Sequence, residues 1–502
     1  NAKEAGAQVI GEGANLGLTQ LARIEFALKG GRVNTDAIDN SAGVDSSDHE
    51  VNIKILLSSA IEQAELKTED RNDLLASMTD DVAEHVLQHN YDQTRAISHM
   101  EMTAADDLDI HARFMATLER KGRLDRTIEH LPNAEEINDR RQQGAGLTRP
   151  ELSVLLAYAK LWLFDELVAS HAPDDPVFES ELYAYFPEAL HSFTKPIVSH
   201  QLRREIIATR MSNEIVDTCG VAFAQRVVET TGVDFATVCL AYESARRIYS
   251  LADFGKRIDA LDNSVPASLQ LSLYLEAAGL LREQVFHLLS AQRSKDAILE
   301  RGVKAIATRY KAPVAEFKKA LPDILTTDAA EALQARFDYW IEQGAPEDLA
   351  KEAAALPSLE YALDIVDLAG ETGWSNPGVG SVYFTVGRHF HFDALREKAR
   401  REPPVDHFDK IAIRQITEDI SARQRMLTKT VIAFAHGEPK GKNADWAHKL
   451  MAQWEESYSD TVARCHRVIA ELDLAGPVSV GKFSLFTRKI DELIAVIGRS
   501  DR

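Results

Sequence analysis

Apolar residues recur at three- and four-residue spacing along most of this chain, and that period predicts a mainly α protein built of helical domains and a bundle. The exception is the beginning. There Ala7-Gln8-Val9-Ile10 runs into the Gly-rich turn Gly11-Glu12-Gly13-Ala14-Asn15-Leu16-Gly17, and LTQLARIEFAL follows with helical periodicity and a Gly30-Gly31 stop. The next run, RVNTDAI, reads as a second strand, so that strand, helix and strand make one parallel βαβ unit. Such a unit cannot stand alone, and residues 1–60 are therefore expected to be an α/β remnant that completes a parallel sheet.

Helical periodicity resumes near His49, through Val51, Ile55, Leu56 and Ile61, and again from about Arg71 to His99. Residues 61–145 read as a helical connector ending in the polar stretch PNAEEINDRRQQGAG. Thr148-Arg149-Pro150-Glu151 then opens a new helix. Threonine stands at the cap, glutamate three residues on can reach back to it, and proline occupies the first turn, where its missing N–H costs nothing. Residues 146–255 are expected to form a helical domain and 256–502 a C-terminal antiparallel bundle, with Leu269–Leu289, Asp328–Gln343, Ile411–Phe434, Trp446–Leu472 and Phe483–Ile497 as its long amphipathic members. One interruption, GETGWSNPGVGSVYFTVG from Gly370 to Gly387, reads as a long loop packed onto that bundle.

Composition narrows the setting. With 502 residues and 45% hydrophobic content the chain can fill several cores, and no apolar run of about 18 residues predicts a membrane span or a secretory leader. A cytoplasmic place is expected. Cys219, Cys239 and Cys465 lie in apolar helical patterns without CxxC spacing, which predicts buried free thiols rather than a disulfide framework or a zinc site. The net charge of -21 opposes approach to a polyanion, and the short basic runs Arg140-Arg141 and Arg396 to Arg401 read as solvated helix faces, so no nucleic-acid partner is expected. The opening Asn1-Ala2, in place of methionine, reads as the start of an engineered fragment.

Candidate chemistry concentrates at the start. Gly11-x-Gly13-x-x-x-Gly17 between strand and helix invites a dinucleotide fingerprint, with Asp36 or Asp39 as the later acid, but the spacing is one residue too long. A better reading is a crevice of a Rossmann-type sheet, where ligands lie beyond the carboxyl ends of the strands. The loops Glu12 to Thr19 and Asp39 to Asp48 both leave from such ends and offer Asn15, Thr19, Asn40, Ser41, Ser46 and Ser47, uncharged groups suited to a carboxamide, a ribose or a carboxylate. The bland alternative is that these loops only cap the next helices. His85 and His89 share a helix face at zinc-helix spacing, but no HExxH glutamate lies between them, so they read as a solvated face; the His389-x-His391 pair reads as packing, and no metal is expected. Ser98-His99 with Asp106, Asp107 and Asp109 suggests no triad, since no G-x-S-x-G elbow occurs. His200, Arg203, Arg204 and Asn213 read as a buried network that fixes helix packing rather than as a cleft lining.

The run GEGANLGLTQLARIEFALKGGRVNTDAIDNSAGVDSSDHEVNIKILL resembles the end of the nucleotide domain of the large bacterial NAD-specific glutamate dehydrogenases. GLTRPELSVLLAYAK, HQLRREIIATRMSNEIVDTCG and AYESARRIY are similar to that family's C-terminal helical region, so the resemblance extends over essentially the whole chain. It implies NAD as cofactor and L-glutamate with 2-oxoglutarate as substrate pair. Glu12-Gly13-Ala14-Asn15 matches the family's E-G-A-N loop, which implies that Gly13 and Asn15 contact the nicotinamide end of the cofactor. Asn40-Ser41-Ala42-Gly43-Val44 followed by Ser47 is similar to its N-A-G-G-V turn and serine, with Ser41-Ala42 replacing Ala-Gly; this implies a cofactor contact for Asn40 and a substrate α-carboxylate contact for Ser47. The catalytic lysines, the acid/base aspartate and the pyrophosphate turn of the family have no matching segment, so no catalytic residue is assigned and the chain alone is expected to be inactive. Its helices are expected to cover the catalytic core or to join subunits of a homo-oligomer. The competing class is a non-catalytic helical scaffold or a regulatory module.

Overall fold

In the computed structural model, the structure describes residues 2–290, 296–401, 407–435, 437, 444–474 and 480–500. Asn1 lies outside them. Two compact units emerge: residues 1–245 with 281–304, and residues 246–280 with 305–502.

The first unit corrects the expected sheet. Among the described residues there is no strand, and the Rossmann-type arrangement is absent; what remains of the βαβ pattern is one isolated parallel bridge, Val9 to Arg32. Its hydrogen bonds run from Ile10 N–H to the Arg32 carbonyl at 2.9 Å and from Arg32 N–H to the Gln8 carbonyl at 2.8 Å. The second run leaves the extended conformation after Thr35, which caps the single helical turn Asp36–Asp39. Two short segments joined by one bridge cannot make a self-supporting sheet. Helix α1 (Gln20–Leu28) does form where expected, capped by the Thr19 hydroxyl, which accepts from Ala22 N–H at 3.2 Å. Its stop uses each glycine differently: Gly30 takes φ +87°, while a Cβ on Gly31 would sit 2.3 Å from a ring carbon of the buried Phe26.

Helix α2 (Ser41–Glu62) begins well before His49, and the expected loop from Asp39 to Asp48 is mostly its first two turns. The Asn-Ser-Ala-Gly composition suggested a turn, yet Asn40 sits at the N-cap position, and the Ser46 and Ser47 hydroxyls donate back to the carbonyls of Ala42 and Gly43. Helix α3 (Thr79–Met102) packs on α2, burying Val86, Ala96, Ile97 and Met100. Helix α4 (Arg149–Val168) starts as its sequence dictates: the Thr148 N–H donates to Glu151 Oε2 at 2.7 Å, and both Glu151 oxygens accept from Arg140 at 2.7 Å. Leu152, Leu155, Leu156, Trp162 and Leu163 are buried, and α4 lies against α5 (Arg203–Cys219). The close approach of residues 104 and 146 has a cause in the sequence, since a Cβ on Gly146 would fall 2.3 Å from the Ala104 carbonyl carbon.

Helix is the regular secondary structure of the second unit among its described residues. It includes the end of α6 (Asp296–Ile324), then α7 (Ala362–Thr372), α8 (Asn376–His389), α9 (Phe392–Arg401), α10 (His407–Phe434), α11 (Ala444–Ser457), α12 (Ser459–Leu474) and α13 (Val480–Ser500). The expected loop from Gly370 to Gly387 is instead the end of α7 and most of α8. Two of its glycines serve close packing: a Cβ on Gly380 would lie 2.8 Å from Ile324 Cδ1, and one on Gly387 2.6 Å from Gln424 Nε2. The expected Trp446–Leu472 helix is two helices, parted at Tyr458. All three cysteines are buried free thiols, and burial pushes Cys219 up to about 12 and Cys465 up to about 11. No helix among the described residues is long and apolar enough to cross a membrane.

Candidate functional site

The loop from Gly11 to Leu18 is held by charge rather than by a sheet. Glu12 is buried, and its carboxylate accepts from Arg23 Nε at 2.5 Å, Arg23 Nη2 at 2.9 Å and Leu18 N–H at 2.9 Å. The Glu12 N–H donates to Asp39 Oδ2 at 3.0 Å, and the Leu16 N–H donates to Asp36 Oδ2 at 2.7 Å. That second bond, with Arg23 at 3.1 Å, holds the Asp36 carboxyl below the usual carboxylate range. One buried guanidinium thus balances Glu12 and Asp36 and fixes the loop that carries Gly13 and Asn15.

Two of the expected ligand contacts meet here. The Asn40 side-chain amide donates to Asn15 Oδ1 at 2.9 Å across 25 residues of sequence. Among the described residues the Asn15 NH2 and the Asn40 carbonyl oxygen have no side-chain hydrogen-bond partner, which leaves a donor group and an acceptor of the kind a carboxamide or ribose hydroxyl requires. Gly13 is exposed, and a Cβ there would meet nothing within 4 Å, so its backbone is open to close approach. Ser47 is not in contact with the pair. It lies seven residues beyond Asn40 on α2, which places it on the same helix side and about 10 Å further along. Its hydroxyl is exposed and makes only a 3.4 Å bond to the Gly43 carbonyl. These donors and acceptors fit the nicotinamide end of a dinucleotide. Asn15, Asn40 and Ser47 carry uncharged hydrogen-bonding groups, suited to binding and orientation.

Spacing did not reveal several residues that set this geometry. Asn90 on α3 donates to the Ile38 carbonyl at 2.8 Å and to Ser41 Oγ at 2.9 Å, pinning the start of α2. Asn34 donates to Asp39 Oδ1 at 2.8 Å and accepts from Arg149 Nε at 3.1 Å, and Arg149 also reaches Ser98 Oγ at 3.1 Å and Glu101 Oε2 at 2.8 Å. Lone polar residues separated by 115 positions leave no local signal. The His200 set behaves as a packing network: His200 Nε2 meets the Asn52 carbonyl at 3.1 Å, and Arg204 donates to the carbonyls of Val168 and Ser170 and pairs with Asp174.

The histidines correct another expectation. His85 and His89 do not form a solvated face: both are half-buried and turn toward α2, where the His85 and His49 ring centroids are 5.6 Å apart. His89 Nδ1 is 2.8 Å from Asp45 Oδ2. His49 is fully buried and stacks on Tyr185 at 4.4 Å; burial pulls its pKa down to about 4. In the second unit His389 and His466 are ring neighbours at 4.6 Å, with Glu455 Oε2 3.7 Å from His389 Nε2.

Sequence comparison relates the chain to known proteins. Residues 144–492 match the family model "Glutamate dehydrogenase, C-terminal", and residues 1–100 match "Bacterial NAD-glutamate dehydrogenase, catalytic domain". The chain is 35% identical over 493 residues to an NAD-specific glutamate dehydrogenase of Pseudomonas aeruginosa, covering 98% of this chain and 30% of the relative. It is 36% identical over 497 residues to the protein of that name from Halomonas elongata, covering 98% and 30%, and 36% identical over 500 residues to that of Mycobacterium tuberculosis, covering 99% and 30%. The chain thus spans about 30% of the length of the curated relatives it matches. With the C-terminal family model matched over most of its residues, the chain belongs to the glutamate dehydrogenase family and corresponds to a C-terminal portion of its large NAD-specific members.

Proposed function

We propose that this chain supplies the nicotinamide and substrate-carboxylate contacts of an NAD-dependent dehydrogenase that oxidatively deaminates L-glutamate to 2-oxoglutarate and ammonia. The observation that carries this reading is the Asn15–Asn40 amide pair at the start of the helix that presents Ser47 two turns further on the same side. NAD, when bound, accepts the electron pair from the substrate α-carbon. The open amide groups of Asn15 and Asn40 orient the nicotinamide end, and Gly13 lets the loop backbone come close. The Ser47 hydroxyl, released from its long contact with Gly43, donates to the α-carboxylate. These are positioning and binding roles, so the chain by itself is expected to turn over no glutamate. The net charge of -21 opposes a nucleic-acid partner, and assembly into a homo-oligomer belongs to the same proposal.

Steady-state kinetics of the native protein test the assignment. Asn15→Ala removes a neutral hydrogen bond of about 0.5–1.5 kcal/mol, and is expected to raise the KM for NAD roughly 2- to 10-fold with the KM for glutamate unchanged. Ser47→Ala removes a charge-assisted one of about 1.5–3 kcal/mol and is expected to lower kcat/KM for glutamate roughly 10- to 100-fold. If both variants keep wild-type constants and NAD does not slow amide exchange over residues 11–18, the crevice is elsewhere.

A further inference from the structure

The opposite side of α2 carries a second constellation. Asp45 and His49 are one turn apart and project toward α3, where His89 meets them. Two of the contacts are unequal: His89 Nδ1 is 2.8 Å from Asp45 Oδ2, whereas His49 Nε2 is 3.9 Å from Asp45 Oδ1, too far for a hydrogen bond. His49 is wholly buried, and neither of its ring nitrogens has a hydrogen-bond partner. A buried polar group left in that state costs about 1–3 kcal/mol, which a ligand at the ring nitrogen would recover.

The surroundings hold the ring in place. Tyr185 stacks on His49 at 4.4 Å with the planes 14° apart, and the tyrosine is itself fixed, its hydroxyl donating to Asp48 Oδ2 at 2.7 Å and accepting from Asn52 Nδ2 at 2.8 Å. His49 is therefore pre-oriented with Nε2 toward the Asp45 carboxylate. One donor atom from each of Asp45, His49 and His89 lies within 4.8 Å of the others. An ion bound tetrahedrally through nitrogen and oxygen at about 2.0–2.2 Å needs its ligand atoms roughly 3.3–3.5 Å apart. The 2.8 Å and 3.9 Å contacts fall on different oxygens of Asp45, so one ion would draw the three ligand atoms, already within 4.8 Å of one another, onto a common centre by turning the part-exposed Asp45 and His89 side chains about the fixed His49 ring.

We propose that Asp45, His49 and His89 form a binding site for one divalent cation of the zinc class, with a fourth coordination position open to water. Two imidazoles and one carboxylate suit zinc, cobalt or nickel better than the all-oxygen ions calcium and magnesium. The site joins α2 to α3 and lies about half a helical turn away from Ser47 around α2, so the cation clamps the helix that presents Ser47 and takes no part in binding the dinucleotide.

Cobalt(II) titration of the chelator-stripped 502-residue chain tests this, followed by the visible absorption of four-coordinate cobalt and by zinc competition. The expected result is one saturable equivalent displaced by zinc, with His89→Ala and Asp45→Asn each weakening it at least tenfold. His466→Ala, in the other histidine cluster, should leave it unchanged. Zinc should also raise the thermal midpoint of the wild-type chain and not that of the His89→Ala chain, a comparison that holds even if one variant is less stable to begin with. No four-coordinate signal, undiminished affinity in both variants of this cluster, or loss of the signal in His466→Ala would each overturn the proposal.

Discussion

Buried charge in this protein is arranged in small, closed sets, and Asp217 shows what they require. The residue is 7% exposed on α5, and Lys160 on α4 lies 2.8 Å from one of its carboxylate oxygens and 2.9 Å from the other. Burial pushes the Asp217 carboxyl up, and Lys160 opposes that. Removing only Lys160 leaves the buried Asp217 charge without its hydrogen-bonded cation and with only Arg95 to offset it, so Lys160→Met is expected to cost about 3–5 kcal/mol in urea unfolding, while the double change Lys160→Met with Asp217→Leu recovers most of it. A double variant as unstable as the single one would show that helix packing, not the stranded charge, sets the penalty. The candidate site was legible to a similar depth. Asn15, Asn40 and Ser47 announce themselves through local motifs, whereas Asn34, Asn90 and Arg149 act at a distance on groups that no spacing rule connects to them.

Elements are legible wherever the period is long and the cap explicit, as at α4, and obscured where a Gly-rich run that reads as a packed loop is helix. At Gly380 and Gly387 the missing side chain makes room. Phe317 and Ile324 of α6 press on Gly380, and Gln424 of α10 presses on Gly387 while accepting from the buried Arg396 at 2.6 Å. The opening segment erred in the other direction. RVNTDAI has the residues of a strand, but after Thr35 the backbone closes a helical turn, with the Ile38 and Asp39 N–H groups donating to the Thr35 carbonyl and the Asp36 and Asp39 carboxylates accepting from the Leu16 and Glu12 amides of the preceding loop, and among the described residues no strand lies beside it. The two kinds of helical glycine separate by experiment. Gly380→Ala is expected to destabilise by roughly 1–3 kcal/mol through overpacking. Gly370→Ala, exposed and with nothing within 4 Å of the new Cβ, should stabilise by about 0.5–1 kcal/mol. Equal thermal midpoints for the two variants would refute the packing role.

At the scale of the whole molecule, acid acts on both units through buried imidazoles. Burial, with Arg95 and Arg282 nearby, pulls His99 in the first unit down to about 3, and burial pulls His389 in the second down to about 4. The unfolded chain takes up these protons near pH 6.5, and the folded one refuses them until far lower. Stability present above about pH 6.5 is therefore lost progressively as the pH falls toward those values, by up to about 1.4 kcal/mol per pH unit for each proton. Urea midpoints from about pH 7 to 5 should fall for the wild type and fall less steeply for His99→Gln; identical slopes would assign the acid sensitivity to other groups.

The Arg149 bridge carries a lesson about descent. One family match ends at residue 100 and the other begins at residue 144, which invites the view that two modules were joined. Yet Arg149 binds Asn34 and Glu101, Gln20 binds the Pro150 carbonyl, and all four side chains belong to one compact unit. A chimaera that took its first hundred residues from one relative and the rest from another would inherit half of this lock from each parent. Asn34, Glu101 and Arg149 should therefore travel together through any recombination that leaves a working protein, and the point of safe exchange lies outside the segment they tie.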